Sequence, residues 1–193
     1  MSRRWHNPGF CNDLRHSTTR IHLGIVILLS IFITILFPGC DTVDDDRIPN
    51  FAVNINLGDA ALWNTYGVAG FGTNQRFILA QGIRLPAAFP YSVQSATGFG
   101  GVLLINGMDP FTNSTDVPLA YDLACPVECK QDVRVEIEPE LYTAVCPVCG
   151  SKYDVTMQGG APISGPAATG SHKYGLRRYQ CLPTSTGGYY ITN

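Results

Sequence analysis

The chain has 193 residues, of which 45% are hydrophobic, and its formal net charge at pH 7 is −2. This length and hydrophobic fraction suit one domain with a core of ordinary size. Residues 40–193 are more acidic, because they carry nine Lys or Arg against 14 Asp or Glu and a net charge of −5. Nucleic acid is therefore excluded as an expected partner, since nucleic-acid binding needs a basic face.

The first 39 residues have the pattern of a bacterial lipoprotein signal peptide. Four Arg residues give residues 1–20 a basic character, and residues 23–37 form an apolar run. That run is shorter than the about 20 residues of a membrane span and is typical of a signal sequence. It ends at Phe37-Pro38-Gly39-Cys40, which resembles a lipobox, so we expect lipidation at Cys40. An uncleaved N-terminal anchor is the alternative.

A lipid on Cys40 would make the membrane a partner of the chain. It would also place the protein at the outer membrane or on the periplasmic side of the cell envelope. Residues 40–50 are polar and acidic without apolar periodicity, and they predict a flexible tether. Residues 51–193 remain for the folded domain.

The folded domain is predicted to be mostly β. Residues 51–57 alternate at period two, and residues 102–105 form a continuous apolar run that suits a strand buried on both faces. Further strand candidates are residues 76–81, 83–85, 119–123, 133–138 and 141–145. Residues 60–66 fit one helical turn or a loop, and together with the glycine-rich residues 67–72 we interpret this region as irregular.

Four of the seven cysteines lie in two short loops, and each loop begins with Cys-Pro. The first knuckle is Cys125-Pro126-Val127-Glu128-Cys129, and the second is Cys146-Pro147-Val148-Cys149-Gly150. The strand candidates between them can pair as a hairpin and bring the loops together. Four convergent thiols can hold zinc or an iron–sulfur centre, or they can oxidise in pairs to disulfides. The predicted ligands are Cys125, Cys129, Cys146 and Cys149.

The sequence around the knuckles resembles a Rieske domain. Cys146 and Cys149 have the spacing of the family's C-x-x-H, Gly-Ser-Lys-Tyr-Asp follows at residues 150–154, and Gly-Pro-Ala follows at residues 165–167. The resemblance covers residues 118–181. It implies a small β-sandwich or barrel that carries a rubredoxin-like subdomain with two knuckles.

The same resemblance assigns roles near the centre and shows where this chain departs from the family. It implies that Ser151 donates a hydrogen bond to a cluster sulfide and that Tyr153 bonds a Cys sulfur. A Rieske centre needs two His ligands on one iron. Here Val127 and Cys149 stand at the two His positions, and Val cannot bind a metal. A four-Cys 2Fe-2S cluster or zinc would then replace the Cys2His2 site.

Two functions follow from these patterns. The first is a lipid-anchored metal-binding or electron-transfer module with a redox partner protein. The second is a structural or interaction lipoprotein of the envelope that has no cluster and is stabilised by disulfides. Cys181 is then either a buried thiol or a partner for a knuckle Cys. An enzyme is not predicted, because no nucleophile, base and orienting group occur together.

Overall fold

A computed structural model describes residues 42–170 and 172–193 and shows a mostly β protein, which confirms that part of the prediction. The predicted signal peptide, residues 1–39, and the predicted lipidation site Cys40 lie outside the described residues. Within the described residues, no helix has the length and apolar character needed to cross a bilayer.

The described residues form fourteen short strands, one α-helix and one 3-10 turn. The helix α1 is Ala60–Tyr66 and the 3-10 turn is Pro166–Ala168. The strands are β1 (Val43–Asp44), β2 (Val53–Asp59), β3 (Asn74–Ala80), β4 (Ile83–Leu85), β5 (Ala96–Thr97), β6 (Val102–Ile105), β7 (Leu119–Asp122), β8 (Glu136–Glu138), β9 (Thr143–Val145), β10 (Lys152–Asp154), β11 (Ala161–Ser164), β12 (Lys173–Tyr174), β13 (Arg178–Pro183) and β14 (Gly187–Thr192).

Eight strands form one antiparallel sheet in the order β4-β3-β6-β7-β13-β14-β2-β5. This sheet curls towards a barrel, so that β5 at one end of the strand order contacts β3 near the other end. Leu79 N of β3 donates a hydrogen bond to Thr97 Oγ1 of β5 at 3.1 Å. We call this curled sheet the half-barrel.

A second sheet of four antiparallel strands, in the order β11-β10-β9-β8, carries the two knuckles. Its β8–β9 hairpin pairs Ile137 with Ala144 and lies between the two knuckles in sequence, as predicted. The first knuckle follows β7 of the half-barrel, and the second connects β9 to β10. The cysteine loops therefore start from different sheets and meet because the hairpin folds back.

Strand β6 separates the core of the half-barrel from the core of the knuckle region. All four of its side chains are fully buried, which confirms a strand buried on both faces. Val102 and Leu104 pack in the half-barrel core, whereas Leu103 and Ile105 pack in the core that contains Cys125 and Cys146. The alternation follows from the period of two in a strand.

The helix α1 forms in a region that we expected to be irregular. Asp59 caps its N-terminus, because one carboxylate oxygen accepts hydrogen bonds from Ala61 N at 2.7 Å and Leu62 N at 3.4 Å. The Trp63 ring lies against Tyr189 with a centroid distance of 4.7 Å. A helix of seven residues is too short to be stable alone, so these contacts stabilise it.

The expectation of a flexible tether is wrong for residues 43–48, which we call the strap. Val43 and Asp44 pair with β12 as a short parallel ladder, and the Ile48 side chain is fully buried. Arg177 Nε donates to Ile48 O at 2.6 Å, and the Arg177 guanidinium also binds the Asp46 carboxylate at 2.8 Å. One buried apolar side chain and one Arg thus dock a segment whose composition is polar.

Asp122 is a fully buried carboxylate at the end of β7. It accepts hydrogen bonds from Phe99 N at 2.9 Å, Gly100 N at 3.0 Å, Ala124 N at 2.7 Å and the Tyr179 hydroxyl at 2.5 Å. Burial raises the pKa of Asp122, while these hydrogen bonds act in the opposite direction. The carboxylate joins the loop before β6, strand β13 and the entry to the first knuckle.

We expect Ile48→Ala to lower the free energy of unfolding by about 2 to 4 kcal/mol, because it removes fully buried methyl groups and leaves a cavity. Val43→Ala is the matched control in the same strap. Its side chain is 41% exposed, so the change should stay within about 0.5 kcal/mol. Urea denaturation of both variants measures the difference, and equally small effects would show that the strap is not docked in solution.

Asp122→Ala should lower the free energy of unfolding by roughly 3 kcal/mol or more, because four donors lose their buried acceptor. Tyr179→Phe removes one of these hydrogen bonds and should cost roughly 1 kcal/mol. Denaturant titrations followed by circular dichroism give both values. A loss for Asp122→Ala that is no larger than for Tyr179→Phe would contradict the role of the carboxylate.

Candidate metal centre

The two knuckles have the same backbone turn. Cys129 N donates to Cys125 O at 2.8 Å, and Gly150 N donates to Cys146 O at 3.0 Å. The last residue of each turn has a left-handed backbone, with φ of +50° at Cys129 and +71° at Gly150. Position by position, Cys125 therefore corresponds to Cys146, Glu128 to Cys149, and Cys129 to Gly150.

Three of the four predicted ligands come together. The Sγ atoms of Cys125, Cys146 and Cys149 all lie within 4.8 Å of one another, so these thiols are close enough to hold a metal ion. The Sγ atoms of Cys125 and Cys149, which come from different knuckles, are 3.7 Å apart. Cys125 and Cys146 are buried, whereas Cys149 is partly exposed at the surface.

Cys129, the fourth predicted ligand, does not belong to this group. Its thiol instead donates a hydrogen bond to Arg47 O in the strap at 3.7 Å. The reason is its register, because Cys129 occupies the position of Gly150, one residue beyond the position of Cys149. Aligning the two knuckles on their Cys-Pro pairs would have shown this offset in the sequence.

All five cysteines of the described residues are free thiols. Cys181, the fifth, lies on β13 and packs against the half-barrel core rather than beside the knuckles. Burial raises the pKa of its thiol to about 12. In this structure Cys181 is therefore a partly buried thiol that does not pair with a knuckle Cys.

Ser151 and Tyr153 both contact thiols of the centre, whereas the resemblance assigned Tyr153 to a Cys sulfur and Ser151 to a cluster sulfide. Ser151 is fully buried, and its Oγ accepts from the Cys149 thiol at 3.1 Å and from Ala167 N at 3.0 Å. The Tyr153 hydroxyl lies 3.5 Å from Cys125 Sγ. Each side chain thus supports a thiol from a different knuckle.

The Gly-Pro-Ala loop closes directly on the second knuckle. Gly165 has φ of +79°, and a Cβ at this position would lie 2.7 Å from the Cα of Ser151. Only glycine fits so close an approach. Ala167 at the end of the loop is fully buried and donates the hydrogen bond to Ser151.

The thiols of the centre differ in acidity. Burial raises the pKa of Cys125 to about 12, although the hydrogen bond with Tyr153 opposes this rise. Burial acts in the same direction on Cys149, but its hydrogen bonds with the side chain and backbone of Ser151 outweigh burial and lower the pKa of that thiol. Burial also raises the pKa of Tyr153, so its phenol keeps the proton. Cys149 is thus the thiol that ionises more readily.

These residues do not fit the ligand set of a Rieske cluster. Val127, at the first His position, packs partly buried against the core beside the knuckles. His172 is exposed, and no group of metal-ligand side chains among the described residues includes it. Three thiols from two facing loops fit a single soft or borderline metal ion, which thiolate ligands select.

Comparisons with known proteins identify no family: no protein-family model matches the chain, and neither does any curated protein. The resemblance of residues 118–181 to Rieske domains therefore stays a prediction. The chemistry of the centre is indicated by its own donors, which are three thiols supported by one hydroxyl and one phenol.

We expect Ser151→Ala to raise the pKa of the Cys149 thiol, because the hydroxyl that stabilises its thiolate is lost. Because a higher pKa leaves less thiolate at a given pH, the variant should need a higher pH to reach the same alkylation rate. The measurement is the pH profile of Cys149 alkylation in the metal-free, reduced protein. Ser164→Ala, at an exposed position of β11, is the control and should leave the profile unchanged. A profile that Ser151→Ala does not move would contradict this role of the hydroxyl.

Proposed function

We propose that this chain is a metal-binding module in which Cys125, Cys146 and Cys149 hold one metal ion as thiolates. The observation that carries the proposal is the meeting of three thiols from two knuckles within 4.8 Å. Sulfur atoms on one tetrahedral ion with metal–sulfur bonds of about 2.3 Å lie about 3.8 Å apart. The 3.7 Å between Cys125 Sγ and Cys149 Sγ agrees with that geometry.

A single ion is supported better than a 2Fe-2S cluster. In such a cluster the protein ligands are divided between two irons, so ligands of different irons lie farther apart than ligands of one ion. In the Rieske pattern residues 127 and 149 would share the second iron. Val127 offers no donor there, and the Cys149 sulfur lies close to both other sulfurs instead. Of the two metal centres that the sequence predicts, zinc and a 2Fe-2S cluster, we therefore propose zinc.

Zinc also suits the surroundings of the thiols. Zinc has no redox chemistry, and its binding contributes directly to the folding free energy of sites built from short loops. The knuckles are such loops, because each consists of five residues between short strands or bridges. The proposal includes the lipid anchor at Cys40 and an envelope location, both of which rest on the sequence.

A second candidate is a metal-free domain of the envelope in which the knuckles are cross-linked. The Sγ atoms of Cys125 and Cys149 are 3.7 Å apart, and a disulfide would bring them to about 2.05 Å. An exported protein meets an oxidising compartment, where such a bond persists. The protein would then act through its surface, as a structural or interaction lipoprotein.

The full-length protein, purified in detergent and reductant, should contain about one zinc per chain and no acid-labile sulfide. Cys146→Ser should lose the zinc, because it removes one of the three proposed ligands. Cys181→Ser is the matched control and should keep the zinc, since this thiol packs against the half-barrel core. Metal analysis and a visible spectrum give the result.

Two other results would overturn the zinc proposal. Two irons and two sulfides per chain would make the module an electron carrier with a binuclear cluster. A protein without metal, in which peptide mapping after purification without reductant finds Cys125 bonded to Cys149, would support the second candidate.

A further inference from the structure

The first knuckle provides only one ligand, whereas the second provides two. We propose that the metal centre keeps its fourth coordination position open on the side of the first knuckle, and that this position binds one small neutral donor from solution. The inference rests on the proposed function. It makes the centre a ligand-binding site rather than a closed structural one, because structural zinc sites have four protein ligands and reactive sites have three.

The backbone of the first knuckle excludes Cys129 from the centre. In the second knuckle the ligand Cys149 precedes the left-handed residue Gly150. In the first knuckle the left-handed residue is Cys129 itself, and Glu128 stands at the position of the missing ligand. Cys129 could take that position only if the hydrogen bond from its N–H to Cys125 O were broken and the turn rebuilt.

Contacts with the strap hold the Cys129 thiol in its outward position. Its acceptor, Arg47 O, belongs to a residue whose Nε donates to Pro126 O at 2.6 Å. The Arg47 guanidinium also lies 4.3 Å from the centroid of the Tyr174 ring. The next residue, Ile48, is fully buried. Arg47 O, which accepts the Cys129 thiol, is therefore held in place by the side-chain contacts of Arg47 and by the burial of Ile48.

No other Cys, His, Asp or Glu side chain replaces Cys129 among the described residues. The only group of three or more Cys, His, Asp or Glu ligand atoms found there consists of the three thiols, so the Glu128 carboxylate is not part of it. Val127, next to Glu128, is apolar and packs on the core. Among the described residues, the side of the centre that faces the first knuckle thus offers no fourth Cys, His, Asp or Glu ligand.

Charge and access define the ligand that the open position would take. Three thiolates on a divalent ion give a net charge of −1, so a further anion would add charge to a partly buried site, whereas a neutral donor would not. Cys149 is partly exposed, and so is Glu128, which stands at the position of the missing ligand in the first knuckle. A water molecule or a small nitrogen base fits both conditions, and imidazole is a suitable probe.

Cobalt(II) substitution in the full-length, reduced protein tests the inference. Cys129→Ala should change the cobalt affinity by no more than about twofold and leave the sulfur-to-cobalt charge-transfer band intact, whereas Cys146→Ala should weaken binding by more than about 100-fold. Imidazole should shift the visible ligand-field bands of the unmodified protein, because it occupies the open position.

Glu128→Cys is the second variant, and it places a thiol at the position equivalent to Cys149. It should increase the charge-transfer intensity, raise cobalt affinity by about tenfold or more, and abolish the shift with imidazole. These readouts do not depend on how well Cys129→Ala folds.

The outcomes separate the two proposals. If the protein binds cobalt, but Cys129→Ala loses charge-transfer intensity and imidazole causes no shift, Cys129 is the fourth ligand and the open position is refuted while the metal-binding proposal stands. If the unmodified protein binds neither cobalt nor zinc, the metal-binding proposal fails, and the open position fails with it.

Discussion

The buried carboxylate of Asp122 fixes the candidate metal centre relative to the half-barrel. All four of its partners donate hydrogen bonds, and they come from three segments that are distant in sequence. An ionised carboxylate can accept all of them, which no apolar or amide side chain of similar size can do. Because Cys125 follows only three residues later, the first knuckle starts from a point that Tyr179 and the loop before β6 hold in place. Removing the carboxylate would release all three segments at once.

Strand β6 extends this coupling from one residue to the whole core. Its odd-numbered side chains pack with Cys125, Cys146 and Tyr153, whereas its even-numbered side chains pack with the half-barrel. The short turns that carry the thiols therefore pack against one close-packed core that both knuckles share. Interiors packed at this density transmit displacements instead of absorbing them, so the distance between the knuckles depends on the core behind them. This explains how a pair of five-residue loops can hold three thiols close together.

Local patterns predicted the parts of this structure that depend on local signals. The alternation of residues 51–57 and the apolar run at 102–105 are properties of single strands, and both strands form. The segment of helix α1 left a helical turn and a loop as alternatives, and the contact of Trp63 with Tyr189 favours the helix. The docked strap depends on Arg177, so its own composition could not predict it. At the site, spacing identified three thiols that meet. It misplaced Cys129, because counting residues between cysteines does not show which turn position each one occupies.

The second Cys of the first knuckle stands one residue later in its turn than the second Cys of the second knuckle. This offset leaves the two knuckles with three converging thiols instead of four. A left-handed residue must end each turn; Gly150 adopts that conformation freely, whereas for Cys129 it costs on the order of 1 kcal/mol. A strained residue persists only where its surroundings stabilise it. Here the strap supplies that support, since Arg47 accepts the Cys129 thiol through its carbonyl and binds Pro126 through its side chain. The strap and the offset cysteine therefore depend on each other, and together they leave three thiols, not four, at the candidate metal centre.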